Sequence, residues 1–113
     1  MKPPLISIIV PTYNQEKYLG RCLRSILSMN FRREDYEIII INDASTDHTK
    51  TVLHAFIDEI RIIENEKNIG LPASLNRGLK EARGRFFVRV DSDDYVHLEL
   101  ELEKDLEYGD DKR

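Results

Sequence analysis

Three carboxylates fall within four residues where the apolar run of "RFFVRVDSDDYV" (residues 85–96) stops: Asp91, Asp93 and Asp94. Like charges this close repel, and a protein answers by raising a pKa or by supplying a cation. Hard carboxylate oxygens suit Mg²⁺ or Mn²⁺. Mg²⁺ keeps open positions for water and phosphate oxygens, so one or two aspartates at a strand end point to a metal held against a diphosphate. The competing reading is a turn followed by a helix cap, which Asp and Ser also favour. The residues alone leave both readings open.

Two further groups could do chemistry. In "PTYN" (residues 11–14) Pro and Asn mark a turn, and Tyr13 either packs or offers its ring to a base or sugar. In "NDAST" (residues 42–46) Asp43 either caps the following helix or accepts a hydrogen bond from a ligand. His48 and His54 lack metal-ligand spacing, and His97 reads as a solvated histidine. Cys22 lies in an apolar stripe and reads as core. "NEKNIG" (residues 65–70) lacks the glycine pattern of a dinucleotide-binding loop.

These groups need elements to position them. Apolar, β-branched runs at 5–10, 37–41, 59–64 and 85–90 read as strands, the first ended by Pro11. Between them lie helical stripes. Leu19, Cys22, Leu23, Ile26 and Leu27 form one, and Val52, Leu53, Phe56 and Ile57 a second. The second is preceded by Ser45 or Asp43 as a cap, with Asp47 in its first turn. Leu71, Leu75, Leu79 and Ala82 form a third, with Pro72 in its first turn and Gly84 as a left-handed stop. The segment at 95–108 alternates ambiguously and reads as helix from its Glu, Leu and Lys content. Strand–helix alternation with near-continuous apolar strands predicts an α/β fold: a Rossmann-like parallel sheet in the order 3-2-1-4 with helices on both faces. In such sheets ligands collect at the carboxyl ends of the strands. "PTYN", "NDAST", "NEKNIG" and "DSDD" all fall at that edge.

The whole chain sets bounds. At 113 residues, 41% apolar and 34% charged, it has the balance of one globular domain. A net charge of −4 offers no general attraction for nucleic acid. A single cysteine excludes a disulfide framework within the chain and fits a reducing cytoplasm. The first apolar run is too short to span a membrane.

In order and spacing, "ISIIVPTYNQEKYLGRCLRSIL", "EIIIINDASTDHT" and "NIGLPASLNRGLKEARGRFFVRVDSDD" resemble the nucleotide-sugar-binding half of glycosyltransferase family 2. The resemblance covers roughly residues 5–96. Each motif is modest alone, and the ordered set is specific. It implies the GT-A fold, with 1–113 as a single nucleotide-sugar-binding domain lacking the acceptor-binding part. It implies transfer of a sugar from a nucleoside-diphosphate donor, UDP-linked, to an acceptor hydroxyl, with Mg²⁺ or Mn²⁺ as cofactor. The partners it implies are the donor and an acceptor glycan or lipid-linked glycan, met in the cytoplasm at the inner face of a membrane.

Carried over residue by residue, Pro11, Thr12 and Tyr13 line the nucleotide pocket, with Tyr13 stacking on the base. Asp43 matches the base-contacting acid of the family's "DDGS", where Asn42 replaces the other acid. Asn76 matches an asparagine of the helix before the last strand. Leu75 stands where the family often has arginine. Asp91, Ser92 and Asp93 match the family's "DXD". Asp91 serves the ribose or the metal, Asp93 is the metal ligand, and Asp94 is a supporting acid. The general base lies in no motif of this chain. The rival readings are a nucleotide-sugar-binding module without turnover and a receiver-like phosphotransfer domain. The latter wants an acid pair after the first strand, where "PTYN" stands.

Overall fold

The structure, a computed structural model, describes residues 2–93. Asp94, His97 and the helix expected at 95–108 lie outside the described residues. Four strands, β1 (Ile6–Thr12), β2 (Tyr36–Asn42), β3 (Arg61–Glu64) and β4 (Phe86–Arg89), form one sheet in the order β3-β2-β1-β4. Every pairing is parallel, as the apolar runs and helical connections predict. The helices are α1 (Leu19–Leu27), α2 (Thr49–His54) and α3 (Leu71–Glu81).

The alternation of β1 and β2 divides the core in two. Ile6, Ile8, Val10, Ile38 and Ile40 pack with Leu19, Cys22, Leu23 and Ile26 of α1 and Leu53 of α2. Ile9, Ile39 and Ile41 face the other way, against Leu75 and Ala82. Helices thus cover both faces, and among the described residues α3 is the helix that covers the second.

Three details differ from expectation. The first strand does not end at Pro11; it runs to Thr12, with Pro11 opposite Ile41 and Thr12 opposite Asn42. Backbone parity explains the tolerance. Val90 N donates to Ile9 O at 2.9 Å, while Asp43 N donates to Thr12 O at 2.8 Å. Ile9, and Pro11 two residues on, therefore turn their backbone groups toward β4. The donor that proline lacks would have continued that ladder, which stops there. The β1–β2 ladder goes on, and the carboxyl ends of β1 and β4 are left unjoined.

The second detail is the stripe on α3. Leu71 and Leu79 are exposed, and Ser74 and Gly78 are buried instead. Small residues let the helix lie close to the sheet, which a leucine ridge would not. The second stripe also overreaches: α2 ends at His54, and Ile57 is exposed. The chain from 55 to 59 continues in single turns, such as Glu59 N to Phe56 O at 2.8 Å.

The third is Gly84, which does not adopt a left-handed conformation; among the described glycines only Gly70 has positive φ. Gly84 is needed for close approach. Its N–H donates to Ser7 Oγ at 2.8 Å, and that hydroxyl donates to Glu37 Oε2 at 2.6 Å. Arg83 N donates to the same Oε2 at 2.7 Å, and Arg61 Nη1 to Oε1 at 3.0 Å. A buried serine and a half-buried glutamate in the strands thus fasten the turn that leads into β4.

Burial pushes the Glu37 carboxyl up, but these hydrogen bonds outweigh it and hold the group below its usual range. A depressed carboxylate pKa stabilises the fold fully above the unfolded value, and the contribution is lost as pH falls through the folded value. Asp43 and Asp47 shift the same way. Stability is therefore expected to hold from neutrality to about pH 5 and to decline below about pH 4. Glu37→Gln should cost about 1–3 kcal/mol at pH 7 and make the acid decline shallower. Urea titrations at pH 7 and pH 3.5 measure both. An identical acid loss in the two proteins would remove Glu37 from the account.

Candidate functional site

The unjoined ends of β1 and β4 open a cavity of about 320 Å³ at the carboxyl edge of the sheet. Its walls include Pro11, Thr12, Tyr13, Asp43, Asp91, Ser92 and Asp93. Seven residues singled out from three separate motifs therefore meet at one place.

Two loops form the base of the site. Asn14, left-handed at φ 51, accepts from Thr46 N at 2.7 Å through its side-chain oxygen. Ser45 Oγ accepts from Asn14 N at 3.0 Å. Reciprocal bonds thus clamp the "PTYN" loop to the "NDAST" loop, and Tyr13, 45% exposed, is presented beside the clamp. Asn42 explains its own departure from the family's acid. Its Nδ2 donates to Glu64 Oε1 at 3.0 Å, where an aspartate would repel, and its Oδ1 accepts from Ser45 Oγ at 2.6 Å. Ala44 turns the chain at φ 59, a strained conformation for a residue with a Cβ.

Asp43 is buried and turned away from α2; Asp47 instead meets the start of that helix, its Oδ1 accepting from Thr49 N at 2.9 Å. The Asp43 Oδ1 accepts from Ile69 N at 2.8 Å and Asn65 Nδ2 at 3.0 Å, and Oδ2 accepts from Gly70 N at 2.9 Å. Burial pushes its carboxyl up, and these three donors hold it below the usual range, so it is ionised at neutral pH. The carboxylate thereby fixes the turn into α3, with Gly70 at φ 89. Asn65 is itself buried. It also donates to Ser74 Oγ at 3.1 Å and accepts from Arg77 Nη1 at 2.5 Å.

At the opposite wall, Asp91 and Asp93 are exposed and Ser92 is buried. Arg89 donates to Asp91 Oδ1 from Nε at 3.0 Å and from Nη2 at 2.8 Å. Cys22, a core residue as expected, sends its thiol to Asp91 O at 3.6 Å and ties the end of β4 to α1. Thr12 is buried in the wall, and its Oγ1 has no hydrogen-bond partner among the described residues, an orphan that a polar ligand would satisfy.

The donor set suits the cation the sequence implies, within limits. No three metal-binding side chains converge among the described residues. Asp91 and Asp93 offer hard oxygens on an open wall, which suits Mg²⁺ or Mn²⁺ with its remaining positions filled by water and phosphate. Asn76 is exposed on α3 and is not among the cavity residues; Leu71 and Ser74 of that helix are. Gln15 and Arg89 also line the cavity without having been singled out by motif. For Arg89 a signal existed: it stands two residues before Asp91, and side chains two apart along a strand share a face.

Comparison with known proteins agrees with the geometry. The family model described as "Glycosyl transferase family 2" matches residues 7–113. The poly(ribitol-phosphate) beta-N-acetylglucosaminyltransferase TarS of Staphylococcus aureus is 38% identical over 96 residues, which cover 82% of this chain and 17% of that protein. The crystal structure of S. aureus TarS in complex with UDP superposes with a TM-score of 0.81 at 35% identity, covering 89% of this chain and 31% of that one. Its complex with UDP-GlcNAc gives 0.81 at 34%, covering 91% and 30%. A mannosyltransferase from Pyrobaculum calidifontis, in complex with GDP-Man and Mn²⁺, gives 0.86 at 24%, covering 96% and 33%, and shows the same fold. The chain thus spans about a third or less of these proteins. No helix among the described residues is long and apolar enough to cross a membrane.

Proposed function

This chain belongs to glycosyl transferase family 2, and from that premise we propose that it binds the nucleoside-diphosphate end of a UDP-linked sugar donor and forms the donor-binding domain, residues 1–113, of a glycosyltransferase. The observation that carries the reading is the convergence of Tyr13, Asp43, Asp91 and Asp93 on one cavity. The half-exposed ring of Tyr13 stacks on the base, and the ionised Asp43 accepts from its imide N–H. Pro11, Thr12 and Ser92 complete the wall, with the orphaned Thr12 hydroxyl available to the nucleotide. Asn76 makes no contact in this reading, because it does not line the cavity.

Asp93, with Asp91, would hold Mg²⁺ or Mn²⁺. When bound, the cation offsets the charge that develops on the departing diphosphate. The chain's own residues bind and orient the donor; the acceptor is the hydroxyl of a glycan or lipid-linked glycan. The lone cysteine supports action in the cytoplasm, facing a membrane where a lipid-linked acceptor is used.

Calorimetric titration with UDP, GDP and dTDP, each with and without Mn²⁺, tests the reading. UDP is expected to bind best and more tightly with Mn²⁺. Tyr13→Ala should weaken UDP by about 1–3 kcal/mol, the cost of removing an aromatic from under a base. Absence of binding by all three nucleotides would overturn the donor-site reading, and unchanged UDP affinity in the variant would remove the stacking role.

A further inference from the structure

Arg89 is a cation inside a site read as a cation site. Its side chain is 45% exposed and lines the cavity. Two of its nitrogens converge on a single oxygen, Asp91 Oδ1, at 3.0 and 2.8 Å. The third guanidinium nitrogen, Nη1, and the second carboxylate oxygen, Asp91 Oδ2, have no hydrogen-bond partner among the described residues. On this face α3 packs on β1 and β2, and the Arg89 side chain stays half exposed. The pair is half in water, where an ion pair is weak and easily broken. A divalent cation at Asp91 would share that carboxylate with a guanidinium, and the two positive charges would repel at close range. A released guanidinium would have a partner in the same cavity, because its planar fork matches phosphate oxygens.

We propose that Arg89 is a positioning residue that exchanges partners: it holds Asp91 when no cation is present and passes to the diphosphate of the donor when the metal takes Asp91. The proposal rests on the donor-site reading above and adds to it a coupling between metal and nucleotide. Metal alone either displaces Arg89 or binds Asp91 Oδ2 against its charge, and gains nothing for the cost. Metal together with nucleotide displaces it onto phosphate. The site therefore takes the two together more readily than either alone.

The test is Mn²⁺ binding followed by the resonance signal of the free ion, with and without UDP, and UDP titration with and without saturating Mn²⁺. Wild type, Arg89→Ala and Arg89→Lys are compared. Arg89→Ala should bind Mn²⁺ alone about two- to fivefold more tightly, since an exposed ion pair no longer competes. The same variant should bind UDP at saturating Mn²⁺ about tenfold more weakly, since a charged phosphate contact is lost. Arg89→Lys keeps the charge without the fork and should fall between. Arg89 is exposed, so its replacement leaves the core intact, which a matching melting temperature verifies. Opposite movement of the two affinities supports the exchange. If both are unchanged, or both fall together, the proposal is overturned while wild-type UDP binding leaves the donor reading intact. If the wild type binds no UDP with Mn²⁺, both fall.

Discussion

Gly84→Ala is expected to destabilise the fold by on the order of 3–5 kcal/mol, from overpacking against backbone together with lost buried hydrogen bonds. That is a large part of the 5–15 kcal/mol that typically holds a domain of this size. A methyl at this position would lie 2.6 Å from both Ser7 N and Ser7 Oγ and 2.7 Å from Ile6 C. Two of those atoms are backbone of β1, which is paired on both sides and buried on both faces. They have nowhere to go, so the turn at 82–85 must move. Moving it breaks the bond from Gly84 N to Ser7 Oγ and strains that from Phe86 N to Leu5 O, 2.9 Å, which sets the register of β4. Urea unfolding of the variant gives the magnitude. Ser7→Ala in the same background separates two accounts. Removing the hydroxyl relieves only the contact with Oγ, so the double variant should be no more stable than the single one. Recovery on removing the hydroxyl would locate the clash in the side chain.

How far this architecture is legible in the sequence depends on which residues carry each feature. The strands and their order follow from apolar runs alternating with helical stripes, because central strands buried on both faces, as β1 and β2 are, have little room for other residues. Ser7, Glu37 and Gly84 are the exceptions, and they were opaque for one reason. Their pairing joins residues 30 and 77 apart in sequence, and nothing local to any of them announces the others. Pro11 reads as a strand end because proline interrupts a ladder; the structure shows that it interrupts only the ladder to β4. The leucines of α3 read as core by spacing; Leu75 does pack there, yet Leu71 and Leu79 are exposed and the helix turns Ser74 and Gly78 inward. Close approach to Ile9, Ile39 and Ile41 rewards small residues there more than it rewards leucine.

The site divides in the same way. Tyr13, Asp43, Asp91 and Asp93 stand at strand ends, and in a parallel sheet strand ends share an edge, so their meeting follows from topology. Their local partners do not. Asp43 is bound by Asn65, Ile69 and Gly70 from a loop more than twenty residues away. Arg89 carries a readable signal in its spacing from Asp91, because an extended chain running on past β4 brings residues two apart to one side, where the two pair.

Asp43→Asn joins the two halves of the argument, because Asp43 both organises a loop and offers a charge to a ligand. The buried carboxylate accepts three hydrogen bonds through two oxygens. An asparagine has one oxygen, so its amide must face either Gly70 N–H or the pair from Ile69 and Asn65, donor against donor. Leaving buried donors unpaired should cost about 2–4 kcal/mol of stability. Under the donor-site reading the same change removes the ionised acceptor for the base imide. UDP affinity should then fall by about ten- to a hundredfold, the worth of a hydrogen bond to a charged group. The two effects separate by measurement at a temperature where circular dichroism shows the variant folded. The affinity loss should be equal with and without Mn²⁺, since the change is at the base end of the cavity. In the wild type, the depressed pKa of Asp43 keeps it ionised well below neutrality, so UDP affinity should change little between pH 7 and pH 5 on its account. Asn65→Ala supplies the control: it takes one donor from Asp43 and leaves the charge, so it should lower stability more than it lowers affinity. If Asp43→Asn binds UDP as the wild type does while losing the expected stability, Asp43 serves the turn into α3 alone, and the base is read by other residues of the wall.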